Sequence, residues 1–379
     1  MGELPDAARY GDQGSNTLLH TARVAGTLRL PTLSSLGLGC VLAVPGLEPH
    51  RAPRACFGRM AAQSAGKDST TGHWELAGCI VGEPFPVFPR GFPRDLMERF
   101  LRATGLSGFL GNTVASGTRI IEELGEEHLR THFPIVYTSA DSVFQIAAHE
   151  EAFGLERLYD LCRITRESVC VGEYAVGRVI ARPFTGTAGL FQRTAHRRDY
   201  SLPPPSPTLL DVLSDSGVVT IGVGKVDDLF AGRGLRESYH TATNAEGVRQ
   251  ILASSRRLVR GLILANLGDF DTLYGHRNDP GGFARALEAF DEALPGVIET
   301  LGAEDVLVVT ADHGNDPVTA STDHSREYVP LLWYGRSGRE GVDLGTRATF
   351  ADLGKTVAEF FGVPNALAGE SFFREVCPA

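Results

Sequence analysis

Three short apolar runs, Gly217-Val-Val-Thr-Ile-Gly222, Gly261-Leu-Ile-Leu-Ala265 and Val306-Leu-Val-Val-Thr310, alternate with longer segments whose apolar positions recur at helical spacing. The short runs read as strands, and residues 245–259, 282–301 and 349–361 read as amphipathic helices. Strand–helix alternation of this kind predicts an α/β fold with a parallel-rich sheet covered on both faces by helices. An early helix is predicted over residues 16–23, and no apolar strand precedes it.

Two proline-rich stretches, residues 83–93 and 202–207, interrupt this alternation. Each proline lacks an N–H and restricts the residue before it, so neither stretch can form continuous helix or a central strand. They predict paired hinges around an insert. The core is then residues 1–84 and 204–379, and the insert is residues 85–203. Inside the insert, strand-like residues 135–137 and 176–180 lie among helical patterns at 94–104 and 120–131, which predicts a smaller α+β domain.

The chain has 379 residues, 42% hydrophobic and 22% charged, which excludes a disordered or collagen-like chain. A net charge of −10 argues against nucleic-acid or anionic-membrane partners, and a small anionic substrate would need a locally basic pocket. The six cysteines form no C-x-x-C pair and read as free thiols in a reducing compartment. The first ten residues have no basic start followed by an apolar stretch, and no apolar run approaches ~20 residues, so the expectation is a cytoplasmic protein with no membrane span.

Chemistry gathers after two of the strands. Ala311-Asp-His-Gly-Asn-Asp316 follows the run ending at Thr310, and His324 stands eleven residues beyond His313. Asp269-Phe-Asp-Thr-Leu-Tyr-Gly-His276 follows the run ending at Ala265. Carboxylates and imidazoles at the carboxyl ends of two parallel strands point into the crevice where α/β proteins bind ligands. That mixture suits divalent metals, and two such ions clamp the attacking and leaving oxygens of a phosphoryl transfer. Helix capping by the same residues is the alternative. A third stretch, Gly66-Lys-Asp-Ser-Thr-Thr-Gly72, offers hydroxyl nucleophiles, although taken alone it reads more readily as a polar loop or helix N-cap. No Walker loop is present, which disfavours P-loop hydrolysis.

Taken together, Gly66-Lys-Asp-Ser-Thr-Thr-Gly-His-Trp-Glu75, Tyr137-Thr-Ser-Ala-Asp-Ser-Val-Phe-Gln145, Gly177-Arg-Val-Ile-Ala-Arg-Pro-Phe184, Asp269 to His276, Thr310 to Pro317 and Thr322-Asp-His-Ser-Arg-Glu327 resemble phosphopentomutases, the metal-dependent type of the alkaline-phosphatase superfamily. The resemblance runs in order over nearly the whole chain. It implies an alkaline-phosphatase-like core with an inserted cap domain, and interconversion of α-D-ribose 1-phosphate, or its 2-deoxy form, with the 5-phosphate. It places Ser69 at the phosphorylated nucleophile, usually threonine in the family. It implies that Asp271, His276 and His324 hold one Mn²⁺ and that Asp312 and His313 supply two ligands of a second. Ser139 and Asp141 match sugar-contacting cap residues, while Arg178, Arg193 and Lys225 match the cations around the sugar phosphate. A sugar bisphosphate is the implied primer, and the oligomeric state is left open. Other mutases or phosphatases of the superfamily, or a non-catalytic sugar-phosphate binder, are the alternatives.

The sequence departs from the family in three places. The family pattern opens with an apolar strand ending in a metal-binding aspartate, and Met1-Gly2 lies inside the motif that follows it. The expectation is a sheet without its first strand, with either about fifteen to twenty more residues upstream in the natural protein or a chain that has truly lost the strand and one metal ligand with it. Asp6 and Asp12 match positions downstream of that aspartate and do not inherit its role. Gly268 stands where a β-branched residue is expected, and Ala195-His-Arg-Arg-Asp199 replaces a Pro-Asn-Arg-His-Asp run.

Overall fold

A computed structural model describes residues 1–139 and 142–377. The chain divides into two compact units, Met1–Glu83 with Pro204–Ala379, and Pro84–Pro203.

In the first unit, strand β1 (Cys56–Met60) is followed, beyond the insert, by β8 (Val219–Val223), β9 (Glu237–Tyr239), β10 (Gly261–Ala265), β11 (Val306–Thr310), β12 (Val329–Gly335) and β13 (Asp343–Arg347). The apolar runs at 217–222, 261–265 and 306–310 thus become β8, β10 and β11. They do not form one sheet. β10, β8 and β9 make a parallel three-stranded sheet in that order, with Gly261 opposite Val219 and Ala265 opposite Val223. β11, β12, β1 and β13 make a second sheet, in which β12 runs antiparallel to both β11 and β1. The expected parallel-rich sheet is therefore divided in two, one part mixed.

Strand alternation explains why β12 is buried on both faces. Leu332 and Tyr334 join a core with Leu28, Leu36, Leu294 and Ile298, while Leu331 and Trp333 point the other way into a core with Met60, Phe350 and Phe372. The helix Pro280–Thr300 covers the first face; it opens with Asp279 accepting from the Gly282 N–H at 2.8 Å and with Pro280 in its first turn. The helix Ala351–Phe360 covers the second. The early helix runs Thr17–Ala25, capped by Asn16, whose Oδ1 accepts from the Leu19 N–H at 3.2 Å.

The second unit has β2 (Leu110–Val114), β3 (Ile135–Thr138), β4 (Val143–His149), β5 (Arg178–Thr185), β6 (Gln192–Arg193) and β7 (Arg198–Ser201), in one sheet of order β2-β3-β4-β5-β6 with β7 also on β5. Phe92, Phe100 and Phe144 pack on one face, and Ile120, Tyr137 and Phe184 on the other. No helix among the described residues is long and apolar enough to cross a membrane.

Candidate active site

Ser69 is the first residue of the helix Ser69–Leu76. Asp68 starts that helix, its Oδ1 accepting from the Thr70 N–H at 3.0 Å and the Thr71 N–H at 3.1 Å. A helix start offers amide donors and the positive end of the dipole, which favours a phosphorylated side chain there. Gly72 lets the helix press on the turn after β11: a Cβ at this position would lie 2.1 Å from the Asp312 carbonyl oxygen. The approach sets the Ser69 Oγ 3.0 Å from the His313 Nε2. One turn on, the His73 Nδ1 lies 2.8 Å from the Ser69 carbonyl oxygen and 3.1 Å from the Asp312 Oδ2, tying the helix that carries Ser69 to the strand end.

Asp312 and His313 leave the end of β11; Asp271 and His276 lie in the helical turns that follow β10. The His276 Nε2 is 3.2 Å from the Asp271 Oδ2, the His324 Nε2 is 3.0 Å from the Asp271 Oδ1, and the His313 Nε2 is 3.2 Å from the Asp312 Oδ2. The His313 and His324 rings lie 3.9 Å apart between centroids, and His276 and His324 lie 4.7 Å apart. The structure thus brings together Ser69, Asp271, His276, Asp312, His313 and His324.

The fit to a cation rests on what these groups lack. The Asp312 Oδ2 and His324 Nε2 are buried and make no well-aligned hydrogen bond, although carboxylate and imidazole neighbours stand within 3.2 Å. Ligand atoms of Asp271, His313 and His324 all lie within 4.8 Å of one another. The His276 Nδ1 donates to the Thr322 carbonyl at 2.6 Å, and the His313 Nδ1 donates to the Gly314 carbonyl at 3.0 Å, which turns each Nε2 toward the centre, where loss of its proton would free a lone pair for a cation. Clustered oxygen and imidazole donors turned toward one centre suit a divalent cation.

The electrostatics are those of a tight carboxylate–imidazole cluster. Burial works against ionisation of Asp271, but hydrogen bonds from His276 and His324 and the charge of the imidazoles outweigh it and hold the carboxyl well below its ordinary range. Asp312 is held down in the same way, against burial, by His313 and His73. Burial disfavours charge on His313, yet Asp312 beside it pushes the imidazole up to about 9. Burial and the neighbouring His313 lower His324.

Behind these side chains lies a layer that the sequence reading passed over. The Asn315 Nδ2 donates to the Asp271 Oδ1 at 2.5 Å, and the Asn315 backbone N–H donates to the Thr17 Oγ1 at 3.1 Å. Thr17 Oγ1 in turn donates to the Glu327 Oε1 at 2.7 Å. Lys67 links Asp12 and Asp323 at 3.0 and 3.2 Å. Asn315 and Asp316 stood next to the Asp-His pair; nothing in that adjacency marked Thr17 or Glu327.

The remaining predicted residues lie apart from this cluster in the sequence. Lys225 follows β8 at the start of a short helix, and its Nζ sits near Gly268, where an added Cβ would be 3.6 Å away. That is ordinary contact, so Gly268 is not required by steric crowding. In the second unit, Ser139 directly follows β3, Arg178 opens β5 and pairs with Asp199 at 3.4 Å, and Arg193 lies on β6. Asp141 lies outside the described residues. Burial pushes the Tyr137 hydroxyl above its ordinary range, against the opposing charges of Arg182, Arg193 and Arg197, and its oxygen has no hydrogen-bond partner. Arg182, Arg197 and Tyr137 were not singled out in the sequence, although Tyr137 and Arg182 lie within the quoted motifs.

A serine hydroxyl at a helix start, set against carboxylates and imidazoles that follow two strand ends and could hold cations, belongs here to a metal-dependent enzyme with the alkaline-phosphatase-like α/β fold. Residues 192–365 match the model of the Metalloenzyme superfamily. The chain is 56% identical over 376 residues to a phosphopentomutase of Dictyoglomus turgidum, covering 99% of this chain and 95% of that one. It is 57% identical over 375 residues to a phosphopentomutase of Anaeromyxobacter dehalogenans strain 2CP-C, again covering 99% and 95%. The chain belongs to the phosphopentomutase family; it is an isomerase whose cofactors are divalent metal ions.

Proposed function

We propose that the chain interconverts α-D-ribose 1-phosphate, or the 2-deoxy sugar, with the corresponding 5-phosphate, through a phosphorylated Ser69. Phosphoserine 69 transfers its phosphoryl group to the free hydroxyl of the sugar monophosphate: the Ser69 Oγ–P bond breaks, a P–O bond to the sugar forms, and the product is a 1,5-bisphosphate. The bisphosphate turns over, and its other phosphoryl group returns to Ser69, releasing the isomeric monophosphate. The proton lost by the sugar hydroxyl in the first step is regained by the isomer in the second, so no net acid or base is consumed.

Asp271, His276 and His324 would hold one Mn²⁺, and Asp312 and His313 would hold the second. Bound there, the cations supply charge neutralisation for the phosphoryl oxygens and lower the pKa of the Ser69 hydroxyl. The chain's own part is positional. Asp68 and Gly72 fix the helix that presents Ser69, and His73 ties that helix to Asp312. Arg178, Arg193 and Lys225 supply positive charge to the substrate phosphate, the arginines through a planar fork and the lysine as a point charge. Ser139 and Asp141 orient the sugar hydroxyls, and a sugar bisphosphate primes the enzyme by phosphorylating Ser69.

The observation that supports this reading most directly is the 3.0 Å separation of the Ser69 Oγ from the His313 Nε2, which sets the hydroxyl beside that imidazole rather than on a solvated loop. Phosphorus NMR of ribose 1-phosphate with Mn²⁺ and a bisphosphate primer tests it. Conversion to the 5-phosphate is expected from the chain and from the Ser69→Thr variant, and loss of conversion from Ser69→Ala. Sustained turnover by Ser69→Ala would refute the role.

A further inference from the structure

Between β1 and the helix that begins at Ser69, the chain runs through residues 61–68 without forming strand or helix. Buried backbone groups in such a segment need partners from elsewhere, and here two buried charged side chains supply them. Glu75, fully buried, accepts from the Gln63 N–H at 2.8 Å and from the Ser64 N–H at 2.7 Å. Arg326, only 4% exposed, donates to the carbonyls of Ala62, Ser64 and Gly66 at 3.0, 2.7 and 2.8 Å.

The Arg326 guanidinium is used to capacity. Its Nη1 serves Ser64 and Gly66, its Nη2 serves Ala62 and the Asp6 Oδ2 at 3.1 Å, and its Nε serves the Asp6 Oδ1 at 3.2 Å. Each of the five N–H donors of an arginine therefore has an acceptor. A rigid fork that meets five acceptors holds them in one geometry, which a flexible point charge cannot do. The Tyr10 ring closes over the group, its centroid 4.9 Å from the Arg326 Cζ.

One end of this clamp reaches Ser69. A Cβ on Gly66 would lie 2.7 Å from the Asp68 Oδ2 and 2.6 Å from the Thr71 Oγ1, so the backbone that Arg326 grips is pressed against the residue that caps the Ser69 helix. Lys67 is held in parallel, because Asp12 binds its ammonium at 3.0 Å and also accepts from the Arg326 backbone N–H at 2.9 Å. The other end belongs to the histidines. Arg326 stands two residues after His324, and Ser325 exchanges backbone hydrogen bonds of 3.1 and 2.8 Å with Gly314, the residue after His313.

We propose that Arg326 is a positioning residue for the phosphoryl transfer: its guanidinium holds the loop that leads to Ser69 in register with the segment that carries His324 and pairs beside His313. The 3.0 Å approach of the Ser69 Oγ to the His313 Nε2 then depends on a side chain that hydrogen-bonds to neither group. A displacement of about 1 Å at a reacting centre costs on the order of 100-fold in rate. Arg326 does no chemistry of its own. The proposal rests on phosphoryl transfer through Ser69 and not on the identity of the sugar.

The test compares the 379-residue chain with its Arg326→Lys variant, in which the charge stays but three donors replace five. In the metal-free chains, hydrogen exchange is expected to speed up by at least ~10-fold at residues 62–72 and to stay within ~2-fold at residues 306–310 and 329–335. With saturating Mn²⁺, kcat for ribose 1-phosphate is expected to fall by ~30–100-fold, while KM and the Mn²⁺ dissociation constant stay within ~3-fold. Exchange that accelerates uniformly, Mn²⁺ affinity lost in step with kcat, or kcat within ~3-fold of the parent would overturn the proposal. Asp6→Asn carries the test if the lysine variant does not fold, since it keeps the three carbonyl bonds and frees one edge of the guanidinium. It should give the same local exchange pattern and a ~3–10-fold fall in kcat, and parent-like values of both would overturn the proposal. Mn²⁺-dependent hydrolysis of p-nitrophenyl phosphate reads the reactivity of Ser69 whichever sugar phosphate the chain takes. The same loss there, in a parent chain that leaves ribose 1-phosphate unconverted, would support the role of Arg326 and set aside the sugar.

Discussion

Asn315 reaches across to Asp271 with an Nδ2–Oδ1 hydrogen bond of 2.5 Å, and a Cβ on Gly275 would lie 2.4 Å from the Asn315 side chain. The absent side chain at Gly275 lets the amide sit flat against the turn that carries Asp271. Asn315 is only 5% exposed, so the bond is made away from competing water. It engages the oxygen that also faces His324, 3.0 Å away, and leaves Oδ2 to His276 at 3.2 Å.

Removing that bond should loosen the ligand without removing it. Asn315→Ala is expected to weaken Mn²⁺ binding by roughly 10–100-fold, the usual cost of losing a partner behind a metal ligand. Calorimetric titration of metal into the variant checks this, with circular dichroism showing an intact fold. Affinity equal to the parent chain would mean that Asp271 is oriented by the histidines alone.

Gly72→Ala puts a methyl group 2.1 Å from the Asp312 carbonyl oxygen, a distance that no rotamer relieves because the obstacle is backbone. The helix must move away from the strand end and carry Ser69 with it. We expect a loss of about 1–3 kcal/mol in stability and a much larger fractional loss of turnover. Denaturant unfolding and kinetics on the same preparation separate the two. Normal turnover in a destabilised variant would contradict the positioning argument.

Glu327 makes acid stability predictable in sign. Burial raises the carboxyl, but the Met1 ammonium, Thr17 and Ser325 outweigh it and hold the group below the ordinary glutamate value of 4.5. A depressed folded value contributes stability that is complete above about pH 4.5 and is lost as the pH falls through the folded value. Glu327→Gln should lower stability near neutrality, by about 3–5 kcal/mol if the ammonium is left buried and unpaired. It should also flatten the decline below pH 4.5. Parallel acid profiles for the two chains would show that the carboxylate carries no such contribution.

How much of this could be read beforehand depends on whether a residue's role is local. β8, β10 and β11 are legible because each is a short apolar run bounded by helical periodicity, and Asp271, His276, Asp312 and His313 are legible because they follow two of those runs. Thr17 and Glu327 are not, since they meet across 310 positions and neither type signals a metal site. His73 was quoted within a motif, but its link to Asp312 depends on the helix approach that Gly72 permits. β12 escaped notice because Pro330 argues against a central strand, yet it lies between β11 and β1 with that proline at its second position. The division of the sheet is a matter of pairing between segments distant in sequence, which apolar patterning does not encode.

The account turns on Ser69 as the group that carries phosphate. Three hydroxyls stand in a row, Ser69, Thr70 and Thr71, but the Thr71 hydroxyl is engaged with Asp68 at 3.0 Å and only the Ser69 Oγ lies 3.0 Å from a proposed ligand. The most direct measurement is site-resolved mass spectrometry of the peptide spanning residues 67–74 after incubation with Mn²⁺ and a ribose bisphosphate, followed by ribose 5-phosphate. The account predicts phosphate on Ser69 alone, discharged when the monophosphate is added. Phosphate on Thr70 or Thr71, or turnover with no phosphate on this peptide, would contradict it.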